Sequence, residues 1–270
     1  MKSQALSLSV VKEFWESHPV AAEAVPFPLG TKDYFRYYDN LRETNESIEF
    51  SYALHEYKEH AGRRVLDVGC GNGYVLSRYA KEGAKAYGID LTETGIELSR
   101  RRFELSGLNG HFTVGSAEDL PYPDNAFDVV CSMGVLHHTP DTEMAVREVF
   151  RVLKPGGRLI VMFYHRNSAK LRVNLFLRRM IQFRSLQQLV NEVDGRGNPK
   201  GDVYAEDELR DLLKSFEHLS IFAGFLRGTH IVPVIGGIIP NTFLKPFEES
   251  FGWFLYAKGM KPSHASVSAQ

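Results

Sequence analysis

Strand and helix signals alternate along the middle of the chain. The run Arg64-Val65-Leu66-Asp67-Val68-Gly69 is continuously apolar apart from its ends and one acid, as a strand buried on both faces requires. Apolar positions from Tyr74 to Glu82 then recur at helical spacing and stop at Gly83. A second strand is expected over Lys85 to Asp90, followed by a helix capped by Thr92, running to about Ser106 and ended by Gly107. Short strands are expected at His111–Val114 and Phe127–Met133. Asp141 caps a helix to about Leu153, Pro155-Gly156-Gly157 stops it, and Arg158–Tyr164 forms a further strand. Strands alternating with helices predict an α/β fold with a parallel sheet. Right-handed crossovers then give a doubly wound order with helices on both faces.

Three segments flank this pattern. Residues 1–60 read as helical and rich in aromatics (Phe14, Trp15, Tyr34, Phe35, Tyr37, Tyr38), a candidate lid region. Residues 61–165 are the core just described. Residues 166–202 read as a basic helical insertion ending in the loop Asp194-Gly195-Arg196-Gly197-Asn198-Pro199. Residues 203–270 complete the sheet, with a helix over Ala205–Phe216 and strands near His218–Ala223 and Gly252–Lys258. All four segments are expected to build one structural domain.

Composition narrows the function classes. Among 270 residues, 32 are Lys or Arg and 33 Asp or Glu, so a nucleic-acid binder acting through bulk charge is disfavoured. Apolar residues at 43% and charged residues at 24% describe an ordinary globular chain. Two cysteines, Cys70 and Cys131, allow no disulfide framework, and a reducing, cytoplasmic setting is the simplest expectation. Glu13 and Glu16 interrupt the N-terminal stretch where a secretory signal would be apolar, and no 18-residue apolar run is present.

The chemistry-bearing signal is Asp67-Val-Gly69-Cys70-Gly71-Asn-Gly73. Glycines at alternate positions join a buried strand to a helix, which lets the backbone turn tightly and a ligand touch the main chain. The helix start behind them offers free N–H groups. Asp90 lies 21 residues after Gly69 at the end of the next strand, where an acid accepts hydrogen bonds from both ribose hydroxyls of a nucleoside. A dinucleotide site calls for a third small residue where this chain has Tyr74. Asp67 before the loop suits a cationic amino group, so an amino-acid nucleoside fits better than a nicotinamide cofactor.

With these residues in view, the sequence resembles the class I S-adenosylmethionine-dependent methyltransferases. VLDVGCGNGYVLSRYA resembles the family's first motif and YGIDLTETGIELSR its second. The segments GSAEDLPYPDNAFDVVCSMGVLHHTPD and EVFRVLKPGGRLIVMFYHR resemble those around the fourth and fifth strands. The likeness covers about residues 63–166 and is greatest to the small-molecule branch that includes the ubiquinone/menaquinone-biosynthesis enzymes. It implies a Rossmann-like, seven-stranded, mostly parallel sheet whose antiparallel strand is Gly252–Lys258. It implies S-adenosyl-L-methionine as cofactor and a small-molecule oxygen, nitrogen or carbon acceptor. Gly69, Cys70, Gly71 and Gly73 would line the methionine moiety, with Asp67 toward its amino group. Asp90 would hold the ribose, Leu91 would pack on the adenine, and Ala117 and Glu118 would take the adenine edge. Ser132, Met133 and Gly134 would flank the transferring methyl.

A base near the acceptor would be a histidine at the carboxyl edge of the sheet: His137 or His138 after the fourth strand, or His165 after the fifth. Each has an alternative role in ordering its own loop. No metal site is expected, because no four-ligand spacing surrounds the cysteines. Between Val149 and Asn191 there are nine Lys or Arg and no acid, with Val173, Phe176, Met180, Phe183 and Val190 at helical spacing. This amphipathic basic helix either packs its apolar stripe or attracts an anionic or lipid-like acceptor, with at most peripheral contact to a membrane. Rival readings are a cofactor-binding regulatory protein without turnover and, less favoured, a nicotinamide-dependent oxidoreductase. No N/D-P-P-Y/F tetrapeptide marks a protein- or nucleic-acid-methylating enzyme.

Overall fold

The computed structural model describes residues 6–19, 24–176, 179–180, 185–231 and 236–263. Arg178, Phe183 and Arg184 of the basic insertion, and positions 232–235 of the apolar Ile231–Pro240 stretch, lie outside the described residues.

The strands are β1 (Arg64–Val68), β2 (Lys85–Asp90), β3 (Gly110–Val114), β4 (Phe127–Met133), β5 (Leu153–His165), β6 (Val203–Tyr204), β7 (Glu217–Gly224) and β8 (Phe254–Met260). They form one sheet in the order β3-β2-β1-β4-β5-β8-β7, with β6 beside the end of β5. β8 runs antiparallel to both β5 and β7 and the other pairs are parallel. The expected seven strands are the seven on this path. The two-residue β6 is an addition that pairs Val203 with Tyr164 and Tyr204 with His165. β5 also begins earlier than the Pro-Gly-Gly signal suggests. Leu153 pairs with Phe127 and Arg158 with Val129, so Lys154–Gly157 bulges out within the strand, with Gly156 at φ +74°.

Helices cover both faces. α4 (Tyr74–Lys81) and α5 (Glu93–Leu105) lie on one, α6 (Thr142–Val152) and α8 (Glu206–Leu212) on the other. Caps placed from sequence form as expected: Thr92 accepts from the Gly95 amide and Asp141 from the Met144 amide. Leu66, Val68, Val130 and Val161 pack toward α6 and α8; Val65, Val129, Cys131 and Ile160 pack toward α4. Each fully buried aliphatic or Phe side chain contributes roughly 1.5–3 kcal/mol.

The N-terminal aromatics divide between two tasks. α2 (Lys32–Asn45) and α3 (Ile48–His55) place Tyr34, Phe35, Tyr38 and Leu54 in the same core as α4. Arg102 of α5 ties this layer down: its guanidinium bonds both Asp39 oxygens (2.8 and 3.0 Å) and the Asn72 carbonyl (2.7 Å). Only α1 (Leu8–Ser17) stands apart, over the carboxyl ends of the strands.

The insertion departs from the single amphipathic helix expected. A short wide-turned helix spans Lys170–Leu175, and α7 (Leu186–Asn191) starts afresh. Ser185 and Gln188 exchange side-chain-to-amide bonds at 3.0 and 3.2 Å, a reciprocal cap that fixes the restart. Leu171, Leu189 and Val190 are buried with Trp253, whereas Phe176 and Met180 are 50% and 62% exposed. The apolar residues therefore do not share one packed stripe.

Candidate active site

The glycine loop leaves β1 and enters α4. Gly69, Gly71 and Gly73 all take left-handed φ values, +76°, +50° and +75°. Space explains two of them as well as the turn. A Cβ on Gly69 would stand 2.3 Å from Val135, and one on Gly73 3.0 Å from the Ser99 hydroxyl. The amides of Gly69 and Cys70 both donate to the Ile89 carbonyl. The Cys70 thiol turns into the interior, where the Ser99 hydroxyl lies 3.4 Å from it and burial raises its pKa.

Asp90 ends β2 and closes the loop from below. Its Oδ2 accepts from the Gly71 amide at 2.9 Å, and Oδ1 accepts from the Thr92 amide (2.9 Å) and hydroxyl (2.6 Å). A carboxylate has about four acceptor positions, so capacity remains for a ribose hydroxyl. Burial raises its pKa against the lowering effect of these bonds. Asp67 lies opposite Cys131 in the β1–β4 register and is almost wholly buried. Burial pushes its carboxyl up to about 7, so near neutral pH it is poised to ionise when a cation arrives.

The remaining cofactor candidates differ in what they offer. Leu91 follows Asp90 and is partly exposed. Ala117 is buried in the core beside Leu120. Glu118 accepts from the Asp141 amide at 2.6 Å and so orders the start of α6. The Ser132 hydroxyl donates to the Val68 carbonyl at 2.9 Å, binding β4 to β1, and is not free for a ligand. Met133 pairs with Met162, and Gly134 at φ +79° donates to the Met162 carbonyl.

β4 then delivers Val135 against Gly69 and continues into a tight turn, Leu136–His138. His137 is fully buried against Tyr164 and Phe163, and neither ring nitrogen has a hydrogen-bond partner among the described residues. His138 is 4% exposed. Its Nδ1 lies 2.5 Å from the Lys200 carbonyl, and a carbonyl only accepts, so Nδ1 carries the proton. Its Nε2 faces Asp194 Oδ2 at 3.6 Å. Asp194 Oδ1 accepts from the Tyr164 hydroxyl at 2.5 Å. Burial lowers the pKa of both histidines, and Asp194 works against that at His138. His165 is not part of this group. Its Nδ1 bonds the Gly252 carbonyl at 2.9 Å, and alternation along β5 turns it to the face opposite Tyr164.

α1 covers the edge between these two halves. Glu16 accepts from the Glu93 and Thr94 amides (2.9 Å each) and the Thr94 hydroxyl (2.5 Å), capping α5 beside Asp90. Burial raises the Glu16 pKa, but these bonds lower it overall. One residue earlier, Trp15 meets the His138 ring edge-on at 5.1 Å.

Sequence reasoning missed Asp194, Tyr164, Asn198 and the contacts of α1. One signal pointed at Asp194: with Glu192, it is the first acid after the acid-free stretch that precedes it.

A methyltransferase-domain family profile matches residues 66–161. A fatty-acid O-methyltransferase of Mycolicibacterium smegmatis is 40% identical over 113 residues, covering 41% of this chain and 40% of its own. A ubiquinone/menaquinone biosynthesis C-methyltransferase of Vibrio vulnificus is 38% identical over 106 residues, covering 37% and 41%. The chain thus spans about two fifths of the length of these curated relatives. A Pyrococcus horikoshii protein of known structure superposes with a TM-score of 0.58 at 20% identity, covering 93% of this chain and 99% of its own. The [4+2]-cyclase SpnF shares the fold at a TM-score of 0.52 and 19% identity, covering 94% and 93%. Residues 66–161 are a methyltransferase domain, and the chain carries the fold of the class I S-adenosylmethionine-dependent methyltransferases.

Proposed function

We propose that this protein transfers the methyl group of S-adenosyl-L-methionine to a small-molecule acceptor. The observation that carries the reading is the glycine loop clasped to Asp90: three left-handed glycines, with the Gly71 amide bonded to the carboxylate that ends β2. These residues fit the cofactor. The loop presents main chain without side chains, Asp90 keeps acceptor capacity for the ribose, and Asp67 offers a buried carboxyl to a cationic ammonium. S-adenosylmethionine supplies a methyl carbon activated by an adjacent sulfonium. The protein's part is to align the acceptor and keep water away.

In this reading Gly69, Gly71 and Gly73 hold the methionine portion, and Leu91, Ala117 and Glu118 bound the adenine. Met133 and Gly134 lie beside the methyl, while Ser132 and the Cys70 thiol serve the scaffold. α1 acts as the lid, because it bridges the cap of α5 and the His138 turn. The free, buried thiols of Cys70 and Cys131 accord with a reducing, cytoplasmic setting. Among the described residues no helix is long and apolar enough to cross a membrane. The fold is shared with a cyclase, so it does not by itself specify methyl transfer.

Calorimetric titration with S-adenosylmethionine, with NAD as control ligand, tests the reading. Micromolar binding of the former alone is expected. In Asp90→Ala it should weaken about 10- to 100-fold, since bonds to a charged acceptor contribute roughly 1.5–3 kcal/mol. Binding of NAD, or unchanged affinity in the variant, would overturn it. Acceptor screening with a labelled methyl group then separates turnover from binding alone.

A further inference from the structure

The His138 turn and the Asp194–Asn198 loop together hold a concentration of buried polar atoms without partners among the described residues. Both nitrogens of His137, Nε2 of His138, Oδ2 of Asp194 and Nδ2 of Asn198 are all buried and find no hydrogen-bond partner among the described residues. His137, His138 and Asn198 are each more than nine-tenths buried. A buried polar group left unpaired costs roughly 1–3 kcal/mol, so several together call for a ligand that supplies the missing bonds. The turn that bears the two histidines follows Val135, whose side chain abuts Gly69, so this part of the group adjoins the glycine loop.

We infer that Asp194, His138, His137 and Asn198 form the acceptor pole of the site, which takes a neutral, phenol-type hydroxyl and moves its proton to Nε2 of His138. This rests on the methyltransferase reading and narrows it to oxygen acceptors.

The proton inventory supports a base. With Nδ1–H committed to Lys200, Nε2 of neutral His138 presents a lone pair toward Asp194 Oδ2 at 3.6 Å. Two electron-rich atoms face each other with no proton between them. A hydroxyl proton delivered there satisfies both, as an imidazolium held by a carboxylate. Asp194 is in turn fixed by Tyr164, so it is a positioning residue. The balance is complete. The acceptor oxygen forms its bond to the methyl carbon, the pair of the broken carbon–sulfur bond stays on sulfur, and the oxygen's proton goes to Nε2. It leaves to water with the product.

Charge selects a neutral acceptor. The groups facing His138 are Asp194, Asp202, Lys200 and His137, with Tyr164 and Trp15 as aromatic walls. The Lys200 ammonium is already bonded to the Thr139 and Pro140 carbonyls (2.6 and 3.1 Å) and paired with Asp202 at 3.1 Å. Asp194 has no such cation among these groups. A second carboxylate entering beside Asp194 would meet repulsion, whereas a neutral hydroxyl meets a base for its proton and the Asn198 amide for its oxygen. Trp15 closes the pole over His138, so α1 must lift for entry.

The test uses the full chain saturated with S-adenosylhomocysteine. Phenol, 2-naphthol and 2-naphthoate are titrated by calorimetry and by Trp fluorescence at pH 7.5. 2-Naphthol should bind at least tenfold tighter than 2-naphthoate. Asp194→Asn and His138→Gln should each weaken 2-naphthol about tenfold while leaving S-adenosylhomocysteine affinity within twofold, which also reports an intact fold. Imidazole nitrogen spectra of histidine-labelled protein should show His138 protonated at Nδ1. In Asp194→Asn the His138 titration should move to lower pH, since its carboxylate partner is lost. Equal or tighter naphthoate binding, no binding of either hydroxyl probe, or an unmoved His138 titration would overturn the proposal. Failure of S-adenosylhomocysteine to bind the unaltered protein would instead remove the methyltransferase reading itself.

Discussion

The two halves of the carboxyl edge are built differently. On the β1–β2 side, the loop is close-packed and Asp90 is bonded through both oxygens. On the β4–β5 side, the His138 turn and the Asp194–Asn198 loop leave five buried polar atoms unbonded among the described residues. The first side holds fewer such atoms, Asn72 Nδ2 among them, and has more of its bonding in place, which suits a ligand that never varies. The second is left incomplete, and what completes it is chosen by its missing bonds. On the proposed assignment, the cofactor and acceptor sides of one sheet thus differ in how much of their bonding is internal.

The largest expected effect breaks that contrast with one methyl group on each side. Gly69→Ala forces a Cβ into Val135 at a residue with φ +76°. Left-handed backbone costs about 1–2 kcal/mol and overpacking about 1–3 more. Stability should fall by about 2–5 kcal/mol in denaturant titrations, and S-adenosylhomocysteine affinity by at least tenfold. Gly197 in the insertion loop has a similar φ, +86°, but none of the described residues comes within 4 Å of its Cβ position. Gly197→Ala should therefore cost only the backbone share, about 1–2 kcal/mol, and spare cofactor binding. Equal losses in the two variants would show that packing is not what distinguishes the sides.

The same difference governs what the sequence discloses. The cofactor side is encoded in short contiguous stretches: β1, the glycines, and an acid one strand later. Local backbone rules were enough to place Gly69, Gly71, Gly73 and Asp90. They did not show which atoms point where: the Ser132 hydroxyl and the Cys70 thiol both turn into the scaffold. The acceptor side gathers Trp15, His138, Tyr164 and Asp194 from four separate segments. No periodicity links such residues, and only tertiary packing brings them together. The same limit explains β6, too short to show a pattern, and the insertion, where a Ser185–Gln188 cap outweighs the apparent helical stripe.

Proton linkage offers a second, intermediate test, confined to the cofactor side. Burial raises the Asp67 carboxyl from its ordinary 3.8 to about 7. The folded chain therefore keeps a proton that the unfolded chain releases, and this group costs stability as pH climbs from about 4 to about 7. Below that window both states are protonated and it contributes nothing. A cationic ligand beside Asp67 favours the ionised form. Binding of S-adenosylmethionine should then release about half a proton at pH 7, and affinity should rise by up to about tenfold per pH unit below it. Calorimetry in buffers of different ionisation enthalpy reads this directly. In Asp67→Asn both the release and the pH slope should vanish; their persistence would place the ligand's charge elsewhere.

The smallest expected effect concerns the helix that joins the two sides. Glu16 caps α5 through the Glu93 and Thr94 amides, while its neighbour Trp15 lies on His138. A carboxylate at a helix start contributes about 0.3–1 kcal/mol through the dipole. Glu16→Gln keeps an acceptor but loses the charge, so α1 should detach more often without any change in the glycine loop. Amide exchange at Glu93 and Thr94 should speed up about two- to fivefold. S-adenosylhomocysteine should dissociate faster by a similar factor, with its association rate nearly unchanged. The same substitution should also ease entry to the His138 pole, because Trp15 and Glu16 sit on one short helix and move together. Faster exchange at α5 with an unaltered Trp15 signal would mean that the cap and the cover act separately. The two sides would then open independently, rather than under a common lid.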